Sequence, residues 1–168
     1  MKFSIITLGC KVNAYESQYY AGQLEELGYE QVSADEACDI CIINTCTVTN
    51  TAASKSRQKI HYAKRMNPNA LCVVVGCFVQ FASEDERKAL DAELVIGAKQ
   101  KNELVNLIQK ALKEHKKIDV VNEVTQFKDF EAMPVHCFES MHRAFLKVQD
   151  GCNQFCSYCA IPFARGRE

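Results

Sequence analysis

Leu71-Cys72-Val73-Val74-Val75-Gly76-Cys77 is an unbroken apolar run closed by a glycine and a cysteine. A run this short, rich in β-branched residues and lacking polar alternation, reads as a strand buried on both faces. Two other stretches repeat the pattern: Lys2 to Leu8 ends at Gly9-Cys10, and Asp39 to Asn44 ends at Thr45-Cys46. Leu94 to Ile96 reads as a shorter buried strand, and Gln31 to Ser33 as an edge strand. Helical signals lie between them. Asn13 with Glu16 three residues on makes an N-cap signature, followed by Tyr20, Leu24 and Leu27 at helical spacing and Gly28 at the C′ position. Asn50 or Thr51 caps a helix with Ala53, Ile60 and Ala63 on its apolar face and Pro68 beyond its end. Ser83 and Glu86 form a capping box. Asn102 caps a helix carrying Leu104, Val105, Ile108, Ala111 and Leu112, with Lys113, Lys116 and Lys117 suiting the negative pole of its dipole.

Strands alternating with helices predict a parallel sheet with helices on both faces. Residues 1–121 therefore read as one flavodoxin-like α/β domain. Residues 122–142 lack periodicity, contain Pro134 and read as a linker. Arg143 to Gln149 is expected to be a new strand leading into a cysteine-rich loop, as at the carboxyl end of a barrel strand. Residues 143–168 would then begin a second domain whose remainder lies beyond Glu168.

The composition excludes several classes. A formal net charge of −1 gives no global nucleic-acid signature, so any RNA contact must be a local patch. No apolar run approaches the ~18 residues of a membrane span. The start, Met1 to Cys10, is too short in its apolar part for a secretory signal and reads as a strand. Ten cysteines without such a signal favour a reducing cytoplasm and metal ligation over disulfides.

Two cysteine constellations stand out. Cys152, Cys156 and Cys159 form C-x3-C-x2-C on one turn-rich loop. Soft thiolates at this spacing let a loop wrap an iron–sulfur cluster, and three ligands leave one iron of a cubane open. A zinc knuckle, or cysteines at this spacing by chance, is the alternative. Cys10, Cys46 and Cys77 are far apart in sequence, but each follows a different predicted strand at the carboxyl end, where parallel sheets gather ligands. Helix N-termini on that side favour an anionic cluster. Three cysteines buried for packing would show the same pattern.

A family resemblance bears on both. The loop with Tyr158 at its aromatic place resembles that of radical S-adenosylmethionine (SAM) enzymes. Ile161-Pro162-Phe163-Ala164-Arg165-Gly166-Arg167-Glu168 narrows this to the methylthiotransferases, which carry a similar P-x-x-R-G-R-E run. Thr7 to Ser17, Asn44 to Asn50 and Val75 to Gln80 resemble the amino-terminal domain of the same family. The resemblance spans essentially the whole chain. It implies two [4Fe-4S] clusters, an auxiliary one on Cys10, Cys46 and Cys77 and a SAM-cleaving one on Cys152, Cys156 and Cys159. It implies Tyr158 beside the SAM adenine, and no catalytic residue beyond the cluster ligands. Lys11-Val12-Asn13 and Val48-Thr49-Asn50 look most like enzymes converting N6-threonylcarbamoyladenosine at position 37 of the tRNA anticodon loop to its 2-methylthio derivative. Relatives acting on isopentenyladenosine or on a ribosomal-protein aspartate are the alternative. A flavodoxin or ferredoxin is the implied electron donor. A different class, a non-catalytic iron–sulfur electron-transfer or scaffold piece, fits the same cysteines.

Other candidates carry less. Cys38-Asp39-Ile40-Cys41 has dithiol spacing but leads into a strand where a thioredoxin-like motif opens a helix. Cys72 reads as core. Cys137 with His136 and His142 lacks a second ligand pair at finger spacing. His61 and His115 are expected on helix surfaces. Lys55, Arg57, Lys59, Lys64 and Arg65 form a basic helix without acidic residues, a solvated face or an RNA-contacting stripe. Arg165 and Arg167 would brace the cysteine loop or meet phosphate.

Overall fold

The computed structural model describes residues 1–124, 130–135 and 145–167. Strands β1 (Lys2–Thr7), β2 (Glu30–Gln31), β3 (Ile40–Thr45), β4 (Leu71–Gly76), β5 (Leu94–Ile96) and β6 (Ile118–Val120) form one sheet in the order β2-β1-β3-β4-β5-β6. Every neighbouring pair is parallel. This is the flavodoxin-like order, in which the strand sequence reverses between β1 and β3. The helices are α1 (Lys11–Glu26), α2 (Asn50–Met66), α3 (Cys77–Phe81), α4 (Glu84–Ala89), α5 (Leu104–Glu114) and α6 (Ile161–Arg165).

Strand alternation divides the core into two layers. Phe3, Ile40, Ile42, Val73, Val75, Leu94 and Ile96 pack with Tyr20 and Leu24 of α1 and Leu104 and Ile108 of α5. Cys41, Ile43, Cys72, Val74 and Val95 face the other way, onto Ile60 and Ala63 of α2 and Phe78 and Val79 of α3. β3 and β4 are buried at every position, which is why their sequences run apolar without alternation.

Several local expectations shift. α1 begins at Lys11 with Cys10 at its N-cap, so Asn13 and Glu16 are not a cap. They lie inside the helix and are fully buried, with other work described below. α2 is capped by Thr49, whose Oγ1 accepts the Ala52 N–H, because Thr49 is the last extended residue. Asn102 lies within a 3-10 turn, Lys101–Glu103, that precedes α5. The edge strand β2 sits at Glu30–Gln31 instead of 31–33. The capping box at Ser83 and Glu86 forms as read. β6 was not legible: it is short, only partly buried, and follows two lysines.

The expected strand over 143–149 does not form in its described part. Residues 145–149 have no ladder, although their burial alternates: Leu146 and Val148 are exposed while Lys147 points inward. A strand needs a neighbour to take its backbone hydrogen bonds, and among the described residues none lies alongside. The segment read as a linker is partly docked. Met133 is buried in the α1 face of the core, and the Tyr15 hydroxyl donates to its carbonyl. His136, Cys137, His142 and Arg143 lie outside the described residues.

Candidate functional site

β1, β3 and β4 are adjacent, so their carboxyl ends stand side by side at the point where strand order reverses. Cys10, Cys46 and Cys77 each follow one of these ends within a few residues. Backbone geometry draws them closer. Gly9 has φ +97°, and a Cβ placed on it would stand 2.6 Å from Cys46 Sγ, so that sulfur lies directly over the glycine. Gly76 has φ +109° and a Cβ there would meet the Thr45 carbonyl at 2.7 Å. Glycine at both positions lets the cysteine-bearing turns pack backbone to backbone. Cys46 and Cys77 are buried and Cys10 is exposed, so the group of thiols opens to solvent on the Cys10 side.

Polar side chains hold these turns together. Asn13 Nδ2 donates to the Leu8 carbonyl at 2.7 Å and to the Thr45 carbonyl at 2.9 Å, joining the β1 and β3 turns. Asn44 Nδ2 donates to the Asn13 carbonyl, and Thr45 Oγ1 donates to the Val75 carbonyl. Ser56 Oγ donates to the Cys46 carbonyl, and the Cys46 N–H donates back to it.

The second triad is built differently. Cys152, Cys156 and Cys159 sit on one loop, held by Cys152 N–H donating to the Gly166 carbonyl and Cys159 N–H donating to the Cys156 carbonyl. Phe155 takes φ +47°, a left-handed turn between the first two cysteines. Tyr158 is 90% exposed, its ring free of protein cover. Arg167 lies over the Phe155 ring at 4.7 Å, so it braces this loop.

A buried charged joint links the two triads. Arg165 Nη1 donates to Asp150 at 2.5 Å and to Glu16 at 2.9 Å, and Nη2 donates to Asn13 Oδ1 at 2.7 Å. Lys101 pairs with Glu16 and reaches Asp150 at 3.3 Å. Lys147 pairs with Asp150 at 2.7 Å and Glu16 at 3.5 Å. All five side chains are 0–4% exposed. Burial alone would raise the Glu16 carboxyl, but Lys101 and Arg165 override it and hold it below its ordinary value. Asp150 is likewise held low against burial by Lys101, Arg165 and Lys147. Burial pushes the Cys77 thiol up, and the nearby positive charges of Arg165 and Lys101 pull it back. Lys101, Lys147 and Asp150 were not singled out in the sequence, and Glu16 was read only as a capping partner of Asn13. A signal existed for Glu16: it lies one helical repeat before Tyr20 and Leu24, on the stripe that faces the core.

Among the described residues, no three Cys, His, Asp or Glu side chains converge as they would on a single metal ion. A four-iron cluster poses another requirement, because each thiolate binds its own iron and the sulfurs stand apart. Three free thiols on neighbouring turns, over glycines that leave room, fit such a group. So do three on one open loop. Each set is all-sulfur, the soft donor type that iron–sulfur clusters use. The set-aside candidates stay apart. Cys38 and Cys41 are 3.2 Å apart, sulfur to sulfur, beside Ser4 at the opposite end of the sheet, and Cys72 is in the core. His61 and His115 are exposed as expected. Lys64 is tied to Glu93, which leaves Lys55, Arg57, Lys59 and Arg65 exposed on α2.

The profile of a family described as "Uncharacterized protein family UPF0004" matches residues 2–97, which hold β1 to β5 and the first triad. The chain belongs to this family. It is 38% identical over 167 residues to the threonylcarbamoyladenosine tRNA methylthiotransferase MtaB of Aquifex aeolicus, covering 99% of this chain and 41% of that protein. The MtaB of Chlamydia pneumoniae is 42% identical over 171 residues, covering 98% of this chain and 36% of the relative. A tRNA-2-methylthio-N(6)-dimethylallyladenosine synthase of a Sulfurihydrogenibium species is 34% identical over 172 residues, covering 100% of this chain and 39% of the relative. The methylthiotransferase resemblance carried by the cysteine motifs is thereby borne out. The chain spans about two fifths of the length of these curated relatives. Among the described residues no helix is long and apolar enough to cross a membrane.

Proposed function

We propose that this chain is the amino-terminal domain and cluster loop of a cytoplasmic radical SAM methylthiotransferase that converts N6-threonylcarbamoyladenosine at position 37 of tRNA to its 2-methylthio derivative. The observation that carries the reading is the grouping of Cys10, Cys46 and Cys77 at three adjacent strand ends, joined by one buried arginine to the loop of Cys152, Cys156 and Cys159. The two triads would hold two [4Fe-4S] clusters. When bound, these would supply the electron that opens SAM to a carbon radical and the sulfur that joins an unactivated adenine carbon, a C–H bond no base can ionise. Thiolates of Cys152, Cys156 and Cys159 would leave one iron position open to SAM. Tyr158, almost fully exposed, offers its ring to the SAM adenine. Burial of Cys46 and Cys77 keeps water from two of the auxiliary ligands. Lys55, Arg57, Lys59 and Arg65 on α2 present a basic face to tRNA phosphates. A flavodoxin or ferredoxin is the proposed electron donor.

Threonylcarbamoyladenosine is favoured over the dimethylallyl substrate by the higher identity to MtaB proteins and by Lys11-Val12-Asn13 at the first motif. Mass spectrometry of tRNA nucleosides from a strain lacking the gene tests this. Loss of 2-methylthio-threonylcarbamoyladenosine, with the dimethylallyl derivative intact, is expected. The opposite pattern would move the assignment to the dimethylallyl group.

A further inference from the structure

Among the described residues the buried joint is not electrically balanced: Glu16 and Asp150 face three cations, Lys101, Lys147 and Arg165, so one positive charge is left over. Two flanking charges are of opposite sign and leave this count unchanged: Lys99 in the same loop as Lys101, and Glu131, whose carboxylate accepts the Gln100 and Lys101 backbone N–H groups. At a protein surface an odd charge is screened by water. Here the side chains are almost fully buried, and an uncompensated buried charge is costly. The excess is directed at the first triad. Arg165 Nη2 donates to the same Asn13 Oδ1 that accepts from Cys10 Sγ at 3.6 Å, which places the guanidinium one side chain away from that thiol.

A four-iron cluster in its resting oxidation state, held by three thiolates, carries one net negative charge. We infer that Arg165 is a positioning residue for the Cys10, Cys46, Cys77 site, its buried cation balancing the single negative charge of a cluster bound there and setting that cluster's reduction potential. The inference rests on the ligand assignment proposed above. It explains why a joint with one cation too many is built at this place, and why its arginine reaches past both carboxylates to the Asn13 oxygen that also meets the Cys10 thiol. The fork geometry of the guanidinium serves Glu16, Asp150 and Asn13 together, which a lysine does not match.

The test uses the full chain with Cys152→Ala, Cys156→Ala and Cys159→Ala, reconstituted anaerobically with ferrous iron and sulfide so that only the first triad is loaded. The midpoint potential is read by redox titration followed by electron paramagnetic resonance. Arg165→Gln removes the charge, and its potential is expected to shift negative, because an added electron is less well stabilised. Arg165→Lys keeps the charge and is expected to stay near the parent. Lys147→Gln removes a cation that pairs with Asp150 and Glu16 and is expected to give a smaller negative shift; it also reads the charge effect alone should Arg165→Gln not fold. Loading is expected to raise the thermal midpoint of the parent more than that of Arg165→Gln. A parent that binds no cluster overturns the ligand assignment and this inference with it. A parent that binds one, with potentials unchanged in both glutamine variants, overturns the inference and leaves the assignment standing.

Discussion

The two cysteine triads use the same donor chemistry and opposite construction. Cys152, Cys156 and Cys159 occupy one loop, with Cys156 and Tyr158 open to solvent. Cys10, Cys46 and Cys77 come from three turns that meet only because β1, β3 and β4 are neighbours in the sheet. The local triad requires a turn; the dispersed one requires the fold. The difference teaches where each is vulnerable. Damage to the sheet or to its buried joint should disperse the first set of thiols and spare the second.

Glu16→Ala is the harshest way to press on that contrast. Among the described residues it leaves Lys101, Lys147 and Arg165 sharing the one carboxylate of Asp150, all buried. Breaking a buried ionic group by removing one partner costs about 3–5 kcal/mol. Urea denaturation of the chain is expected to show a loss of this size, whereas a joint of no consequence would leave the midpoint in place. Gly9→Ala is milder. Its Cβ would fall 2.5 Å from Cys46 Cβ in a backbone with φ +97°. Strain of this kind costs about 1–3 kcal/mol. Iron bound by the first triad is expected to fall while the loop triad keeps its share. Equal losses from both would break the comparison.

Thiol chemistry sharpens it further. Burial, helped by neighbouring Cys38, pushes the Cys41 thiol up to about 12, and burial with Glu93 nearby does the same to Cys72. A raised thiol stays neutral until the pH approaches that value, so at pH 8 roughly one in ten thousand is thiolate. Alkylation of the cluster-free chain, mapped by mass spectrometry, is expected at the exposed Cys10 and Cys156 first and at Cys41 and Cys72 last. Early labelling of Cys72 would contradict the packing of β4. The smallest effect belongs to Tyr158→Ala. With 90% of the residue exposed, stability is expected to change by no more than about 0.5 kcal/mol. A large loss would mean the ring is packed, not presented.

Much of the fold was legible because β1, β3 and β4 are long and their cores are apolar, and burial on both faces leaves that mark directly in sequence. β6 escaped because an edge strand of three residues with lysines before it carries no such mark. Residues 145–149 carry the alternation of a strand, yet alternation alone does not supply the neighbour that a ladder requires. The loop triad was visible as spacing. The dispersed triad was visible only as a recurrence of cysteine after strands, since strand order, which decides whether the three turns touch, is a property of the folded sheet. The joint was hidden for a related reason. Asn13 and Glu16 are three apart, like a capping pair, and nothing local reveals that Arg165, far along the chain, binds both. Asp150 and Arg165 flank the cysteine loop, and that bracketing was the one hint that they act with it.

Iron and acid-labile sulfide counted in two complementary variants speak most directly to the pairing of distant turns. After anaerobic reconstitution the parent is expected to bind about eight irons per chain, the Cys152→Ala, Cys156→Ala, Cys159→Ala variant about four, and the Cys10→Ala, Cys46→Ala, Cys77→Ala variant about four. Cys38→Ala with Cys41→Ala should leave the parental count untouched. A Cys10→Ala, Cys46→Ala, Cys77→Ala chain that keeps all of its iron would contradict the account.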